Sequence, residues 1–189
     1  LKNAFPLAGT RDDTMKRASF TFDGIPIVNG TFSQSSLLLN RLLVRTVHAM
    51  TAGADAVLDL YCGNGNLSLG LASAKEVLGL DHNRAAVHRA AAVGRGVYRA
   101  GKERAFCEAL ASRRWDAVIL DPPRTGAKPI APALAKADAA AIVYVSCDPA
   151  TLARDVKTLA ASGWRIDKAT ALDLFPHTPH VETVCRLVR

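Results

Sequence analysis

Cys147 lies in Tyr-Val-Ser-Cys-Asp-Pro (144–149), where an apolar stretch ends and a helix-start signal begins. Asp148 suits an N-cap and Pro149 a first helical position, so the thiol should sit at a helix N-terminus. The partial positive charge there is expected to lower its pKa and make it a nucleophile. Two carboxylates hold comparable places. Asp121 opens Asp-Pro-Pro-Arg (121–124), a loop that two prolines stiffen and keep out of helical geometry. Arg124 in that loop suits a phosphate or a carboxylate. Glu182 follows Phe-Pro-His-Thr-Pro-His-Val (175–181) and opens the last apolar stretch, where it is a candidate general base. His177 and His180 lack further ligands close by in sequence and do not read as a metal site.

A second group of residues suits a ligand rather than a reaction. In Leu-Asp-Leu-Tyr-Cys-Gly-Asn-Gly-Asn (58–66), Gly63 and Gly65 let backbone come close to a bound molecule. The dinucleotide fingerprint needs a third glycine, and Ser68 stands there instead. Asp81, after Gly79-Leu80, can accept both hydroxyls of a ribose; the alternative is a cap for the helix that follows. A cofactor with adenosine and no pyrophosphate fits this pattern, and S-adenosylmethionine is such a molecule.

These residues need a scaffold that brings strand ends together. Short apolar runs at 56–60, 77–80, 97–99, 117–120 and 141–145 read as strands. Helical patterns are expected at 35–50, 67–73, 84–93, 103–111, 129–137 and 150–161. Two last strands, 165–172 and 182–188, have no helix between them. The expected class is α/β: a mostly parallel sheet with helices on both faces and an antiparallel hairpin at its C-terminal edge. That ending favours a methyltransferase-type Rossmann sheet over an all-parallel dehydrogenase sheet. Residues 1–30 read as an arm or linker with a short hairpin turning at Asp23-Gly24, and 31–189 as the catalytic domain.

Bulk properties narrow the class further. At 189 residues, 49% hydrophobic and 22% charged, the chain has the make-up of a folded globular domain rather than a disordered one. No apolar run approaches the roughly 20 residues of a membrane helix, and no signal-peptide pattern opens the chain. A cytoplasmic monomer without membrane attachment is expected. Cys62, Cys107, Cys147 and Cys185 have neither zinc-knuckle nor redox-pair spacing, so no metal and no disulfide is expected. The formal net charge of +7 raises the expectation of a nucleic-acid partner.

From about Phe32 to the C-terminus the chain resembles the RNA uracil-5-methyltransferases, which make 5-methyluridine in tRNA and 23S ribosomal RNA. Four segments carry the likeness: Leu58–Asn66, Leu120–Gly126, Val145–Asp155 and Asp173–Val184. Within them stand Asp-Pro-Pro-Arg, Ser-Cys-Asp-Pro-Ala-Thr-Leu-Ala-Arg-Asp and His-Val-Glu-Thr-Val. The resemblance implies an S-adenosylmethionine-dependent enzyme in which Cys147 adds to C6 of a uracil. C5 then takes the methyl group, Glu182 removes the C5 proton, and Asp121 contacts and polarises the base. It further implies that Phe32, Gln34, Tyr61, Asn66 and Asp81, with the Gly63–Gly65 turn and Asp121, hold the cofactor.

Three positions depart from the family pattern: Asp148 stands for Asn, Ser36 ends the usual Gln-x-Asn, and Glu103 substitutes for a polar residue after the third strand. Asp148 is expected to raise the Cys147 pKa by its charge. Full-length members carry RNA-binding and second domains that do not fit before Phe20. An excised catalytic domain or a compact relative is therefore expected. Two alternatives remain: a non-catalytic RNA-binding module that kept the fold, and a 5-methylcytosine enzyme. The latter would be expected to place a thiol in the loop occupied here by Asp121–Arg124.

Overall fold

The computed structural model describes residues 19–22, 25–28, 37–71, 74–173 and 181–189, with side chains from 39 onward. A short antiparallel hairpin comes first, β1 (Ser19–Phe22) and β2 (Ile25–Val28). Helix α1 (Leu37–Met50) leads into β3 (Ala56–Leu60), followed by β4 (Glu76–Asp81), α2 (Arg84–Ala92) and β5 (Val97–Ala100). Then come α3 (Glu103–Ser112), β6 (Trp115–Leu120), α4 (Ala131–Lys136), β7 (Ala139–Ser146) and α5 (Pro149–Ala160). β8 (Arg165–Leu172) and β9 (Glu182–Val188) close the chain.

Strands β3 to β9 form one sheet in the order β5-β4-β3-β6-β7-β9-β8. From β5 to β7 every pairing is parallel; β9 runs antiparallel between β7 and β8. This is the α/β class expected, with the antiparallel C-terminal pair at the edge. Chain order reverses between β3 and β6, the switch point where such sheets open a crevice beyond their carboxyl ends. Because β9 is reversed, its first residue lies at that same edge: Thr183 pairs with Ser146, at the end of β7.

Side-chain alternation builds a core on each face. Leu58, Leu60, Val118, Leu120, Ile142 and Tyr144 join Phe106, Leu134, Leu152 and Trp164 on the side of α3, α4 and α5. Val57, Ile119, Val143 and Val145 join Leu43, Val47 and Val87 on the side of α1 and α2. Asp59 follows the second alternation, so a carboxylate is sealed within that face.

The sequence pattern predicts one helix too many. Residues 67–70 form consecutive turns rather than the start of a helix over 67–73; residues 72 and 73 lie outside the described set. His48 Nε2 bonds the Leu67 carbonyl, which a helix would give to the N–H of Leu71. Leu71 N–H instead bonds Ser68 O, and the ladder stops after one turn.

Candidate active site

The ends of β3, β4, β6 and β7 and the start of β9 supply the site. β3 runs into Tyr61, whose φ of 60° is left-handed, and then into Gly63 and Gly65, with φ of 53° and 82°. A non-glycine residue in that region costs of order 1–3 kcal/mol and persists where surroundings impose it. Here the Tyr61 ring sets its edge against Phe106, centroids 4.9 Å apart at 80°. Gly65 has a steric reason as well: a Cβ would come 2.6 Å from Leu69 Cγ.

Three side-chain systems hold this turn. Asp81, at the end of β4, accepts from Gly63 N–H at 2.9 Å through Oδ2 and from Asn83 N–H at 2.7 Å through Oδ1. The cap of α2 is Asn83, which receives the N–H groups of Ala85 and Ala86, so the capping alternative for Asp81 is corrected. Asn66 exchanges two amide hydrogen bonds with Asn40 of α1, at 2.8 and 2.9 Å, anchoring the end of the turn. Ser68 donates to Asp59 Oδ2 at 2.5 Å and shares a hydrogen bond with Tyr98 OH at 2.9 Å. Asp59 is fully buried, and its Oδ1 has no hydrogen-bond partner. Burial first, and then the charge of Asp81, push its pKa up to about 7 against the pull of the Ser68 hydrogen bond.

The candidate reactive groups lie beside this turn. Cys147 is half-buried just past the end of β7, and Asp148 caps α5 by accepting Thr151 N–H at 2.9 Å. The expected lowering of the thiol pKa is corrected: it is raised, by burial first, then by Glu182 and Asp121, with Arg124 pulling the other way. Burial first, and then the nearby Glu182 and Asp121, outweigh the partial charge of the helix terminus. The Asp148 carboxylate, turned onto the helix N–H groups, is not among the groups that raise it.

Glu182 is buried, and burial pushes it up to about 7. Asp121 keeps part of its surface in contact with solvent, yet burial, Glu182, Asp59 and Asp81 in that order hold its carboxyl well above the usual range. Asp121, Cys147 and Glu182 thus lie close enough to act on one another electrostatically, with Tyr61, Gly63, Gly65, Asn66 and Asp81 grouped on the neighbouring strand ends. Glu103 opens α3 and is near enough to Tyr61 to help raise its pKa to about 12, after burial. Phe32, Gln34, His177 and His180 lie outside the described residues. All four cysteines are free, and no three His, Cys, Asp or Glu among the described residues converge as metal ligands.

Sequence reading missed Asn40, Asp59, Ser68 and Tyr98. Asp59 had a local signal, a lone charge inside the apolar strand Ala56–Leu60. Asn40 and Tyr98 are identified by partners 26 and 30 residues away, and Ser68 by Asp59 and Tyr98, 9 and 30 residues away.

Comparison with known proteins agrees with this geometry. A family model described as tRNA (Uracil-5-)-methyltransferase matches residues 102–189. The 23S rRNA (uracil(1939)-C(5))-methyltransferase RlmD of Pseudomonas entomophila is 42% identical over 166 residues, 82% of this chain and 37% of its own length. Its Aeromonas hydrophila counterpart is 37% identical over 184 residues, 90% of this chain and 42% of its own. The chain thus spans about two-fifths of these relatives' length. Among solved structures, a Pyrococcus abyssi tRNA (uracil-54, C5)-methyltransferase in complex with S-adenosyl-L-homocysteine has a TM-score of 0.77 and 34% identity, covering 91% of this chain and 44% of that one. A Synechocystis magnesium protoporphyrin IX methyltransferase, at 19% identity and TM-score 0.63, covering 81% of each chain, shares the fold alone. Ribosomal and transfer RNA enzymes match most of the chain, and the family model matches the half that holds Asp121, Cys147 and Glu182. The chain belongs to the RNA uracil-5-methyltransferase family.

Proposed function

We propose that this chain is a catalytic domain that transfers a methyl group from S-adenosylmethionine to C5 of a uridine in RNA. One observation carries the reading: a cysteine, a buried glutamate and an aspartate act on one another at a sheet edge, beside a glycine turn tied to Asp81. The cofactor's electrophilic sulfonium methyl would be the group transferred. The residues present fit such a cation: Asp59, Asp81 and Asp121 sense one another's charge, and one Asp59 oxygen is an unused acceptor. Each Asp81 oxygen accepts one backbone N–H and retains a lone pair for a ribose hydroxyl.

The residues divide the chemistry. Uracil C5 is a poor nucleophile until a group adds at C6. Cys147 rests as a thiol and, keeping part of its surface in contact with solvent, loses its proton there before sulfur bonds to C6. Asp121, its carboxyl held well above the usual range by burial and by neighbouring acids, contacts and polarises the carbonyl oxygen on which enolate charge develops. C5 then takes the methyl group. Glu182 titrates near neutrality, so its carboxylate accepts the C5 proton as the carbon–sulfur bond breaks and the thiolate leaves. The RNA would meet a chain of net charge +7.

The test is intact-mass analysis after incubation with S-adenosylmethionine and a short RNA carrying 5-fluorouridine. Fluorine cannot leave C5 as a proton does, so an adduct of protein, RNA and one methyl group should persist and map to Cys147. Cys147→Ala should lose the adduct and keep cofactor binding. A wild-type chain that binds cofactor and forms no adduct would refute the proposal.

A further inference from the structure

Arg154 and Asp155 end the motif that begins at Ser146, yet the reaction described above gives neither of them a part. Asp155 is buried on α5 and takes three partners. Its Oδ2 accepts Ala127 N–H at 2.7 Å and Tyr144 OH at 2.7 Å; its Oδ1 accepts Arg154 Nη2 at 2.8 Å and Nε at 3.0 Å. Arg154 Nη2 also reaches the Thr125 carbonyl at 2.8 Å, and the Tyr144 hydroxyl stands 3.1 Å from Ala127 N. Two consecutive peptide units of the loop, at Thr125 and Ala127, are therefore fastened to α5 and β7.

Gly126 between them has φ +75°, and a Cβ would lie 2.5 Å from both Arg154 Nη2 and Asp155 Oδ2. The loop lies against the charged pair as closely as backbone permits. Its other end is Asp121, stiffened by Pro122 and Pro123. The far end of α5 is the turn that presents Cys147.

We infer that Tyr144, Arg154 and Asp155 clamp the Asp121–Ala127 loop to α5 and thereby set the position of Asp121 relative to Cys147. They are positioning residues, and the inference rests on the proposed function. A neutral core would hold a loop in place by packing, with tolerance for sliding. Fixed hydrogen bonds to two successive peptide units set its register instead, and buried polar groups must be satisfied in one geometry.

Asp155→Asn, Gly126→Ala and the milder Tyr144→Phe test this from both sides of the joint. Rates of 5-fluorouridine adduct formation are measured well below each variant's unfolding temperature. A displacement of about 1 Å at a reacting group can cost about 100-fold, so Asp155→Asn and Gly126→Ala should lose up to that factor at saturating cofactor. Their double variant should be no slower than the slower single one, since both open the same joint. A lowered melting temperature with wild-type adduct rates would overturn the inference.

A second readout needs no RNA: the pH midpoint of Cys147 alkylation by iodoacetamide, followed by peptide mass mapping. Glu182, Asp121 and Arg124 face the thiol, and Asp121 raises it more than Arg124 lowers it. Loosening the loop should move the midpoint down in Asp155→Asn; an unmoved midpoint would overturn the clamp. Should the wild-type chain form no adduct, the functional reading fails, and the alkylation midpoint alone decides the clamp.

Discussion

Glu182→Gln should make the protein more stable at alkaline pH while stopping its turnover. Glu182 is 3% exposed, and burial raises its pKa from 4.5 to about 7. A carboxyl group whose folded pKa exceeds its unfolded one binds more protons in the folded state between the two values. Stability is then fully present below about pH 4.5 and falls as pH rises to about 7, where the buried group must ionise. A rise of this size corresponds to about 3 kcal/mol, or roughly 6–12 °C in melting temperature for a chain of this length. Glutamine keeps the shape and cannot ionise. Thermal unfolding of both proteins at pH 5 and pH 8.5 should show near-equal midpoints in acid and a more stable variant in base. The same variant should accumulate a methylated adduct on ordinary uridine RNA, because the C5 proton stays. Equal midpoints at both pH values would refute the burial argument; normal turnover would place the base elsewhere.

Two further outcomes test the supports of the site. Asp81→Asn replaces a carboxylate that receives Gly63 and Asn83 N–H groups with an amide of one acceptor oxygen. Hydrogen bonds to a charged group are worth about 1.5–3 kcal/mol, so S-adenosylmethionine affinity by calorimetry should fall roughly 10–100-fold; an unchanged affinity would remove Asp81 from the ribose site. Asp148→Ala should cost about 1 kcal/mol through the lost cap of α5 while Asp148→Asn costs little. Equal losses in the two, measured by denaturant unfolding, would mean that its contribution is charge and not capping.

Local rules read the scaffold well. The last two strands run over 165–172 and 182–188 as their patterns predict, and Asp148-Pro149 starts α5 as a cap and first-turn pair should. Those rules succeed because they concern neighbours in sequence. They fail at Leu67, where His48 from another element takes the carbonyl a helix would need. They fail again at Cys147. A helix start is visible in the sequence and argues for an acidic thiol, but the position of Glu182 depends on β9 reversing beside β7. The roles of Asn40, Tyr98 and Asp155 are equally non-local; each is set by a partner 26 to 30 residues away.

The placement of charge follows from these non-local contacts and, on the proposed function, would serve two partners of opposite sign. The chain carries a net +7, which suits a polyanion, while Asp59, Asp81, Asp121 and Glu182 gather at one sheet edge. Burying four acids there opposes folding, as the raised pKa values of Asp59, Asp121 and Glu182 record. A cationic sulfonium relieves that opposition when bound, and it becomes a neutral thioether once the methyl group has gone. On that reading the acidic edge would favour the methyl donor over its product by charge. Burial, with Glu182 and Asp121 after it, keeps Cys147 as a thiol. On the proposed function, the folding cost at this edge and the chemistry it performs come from one arrangement of residues.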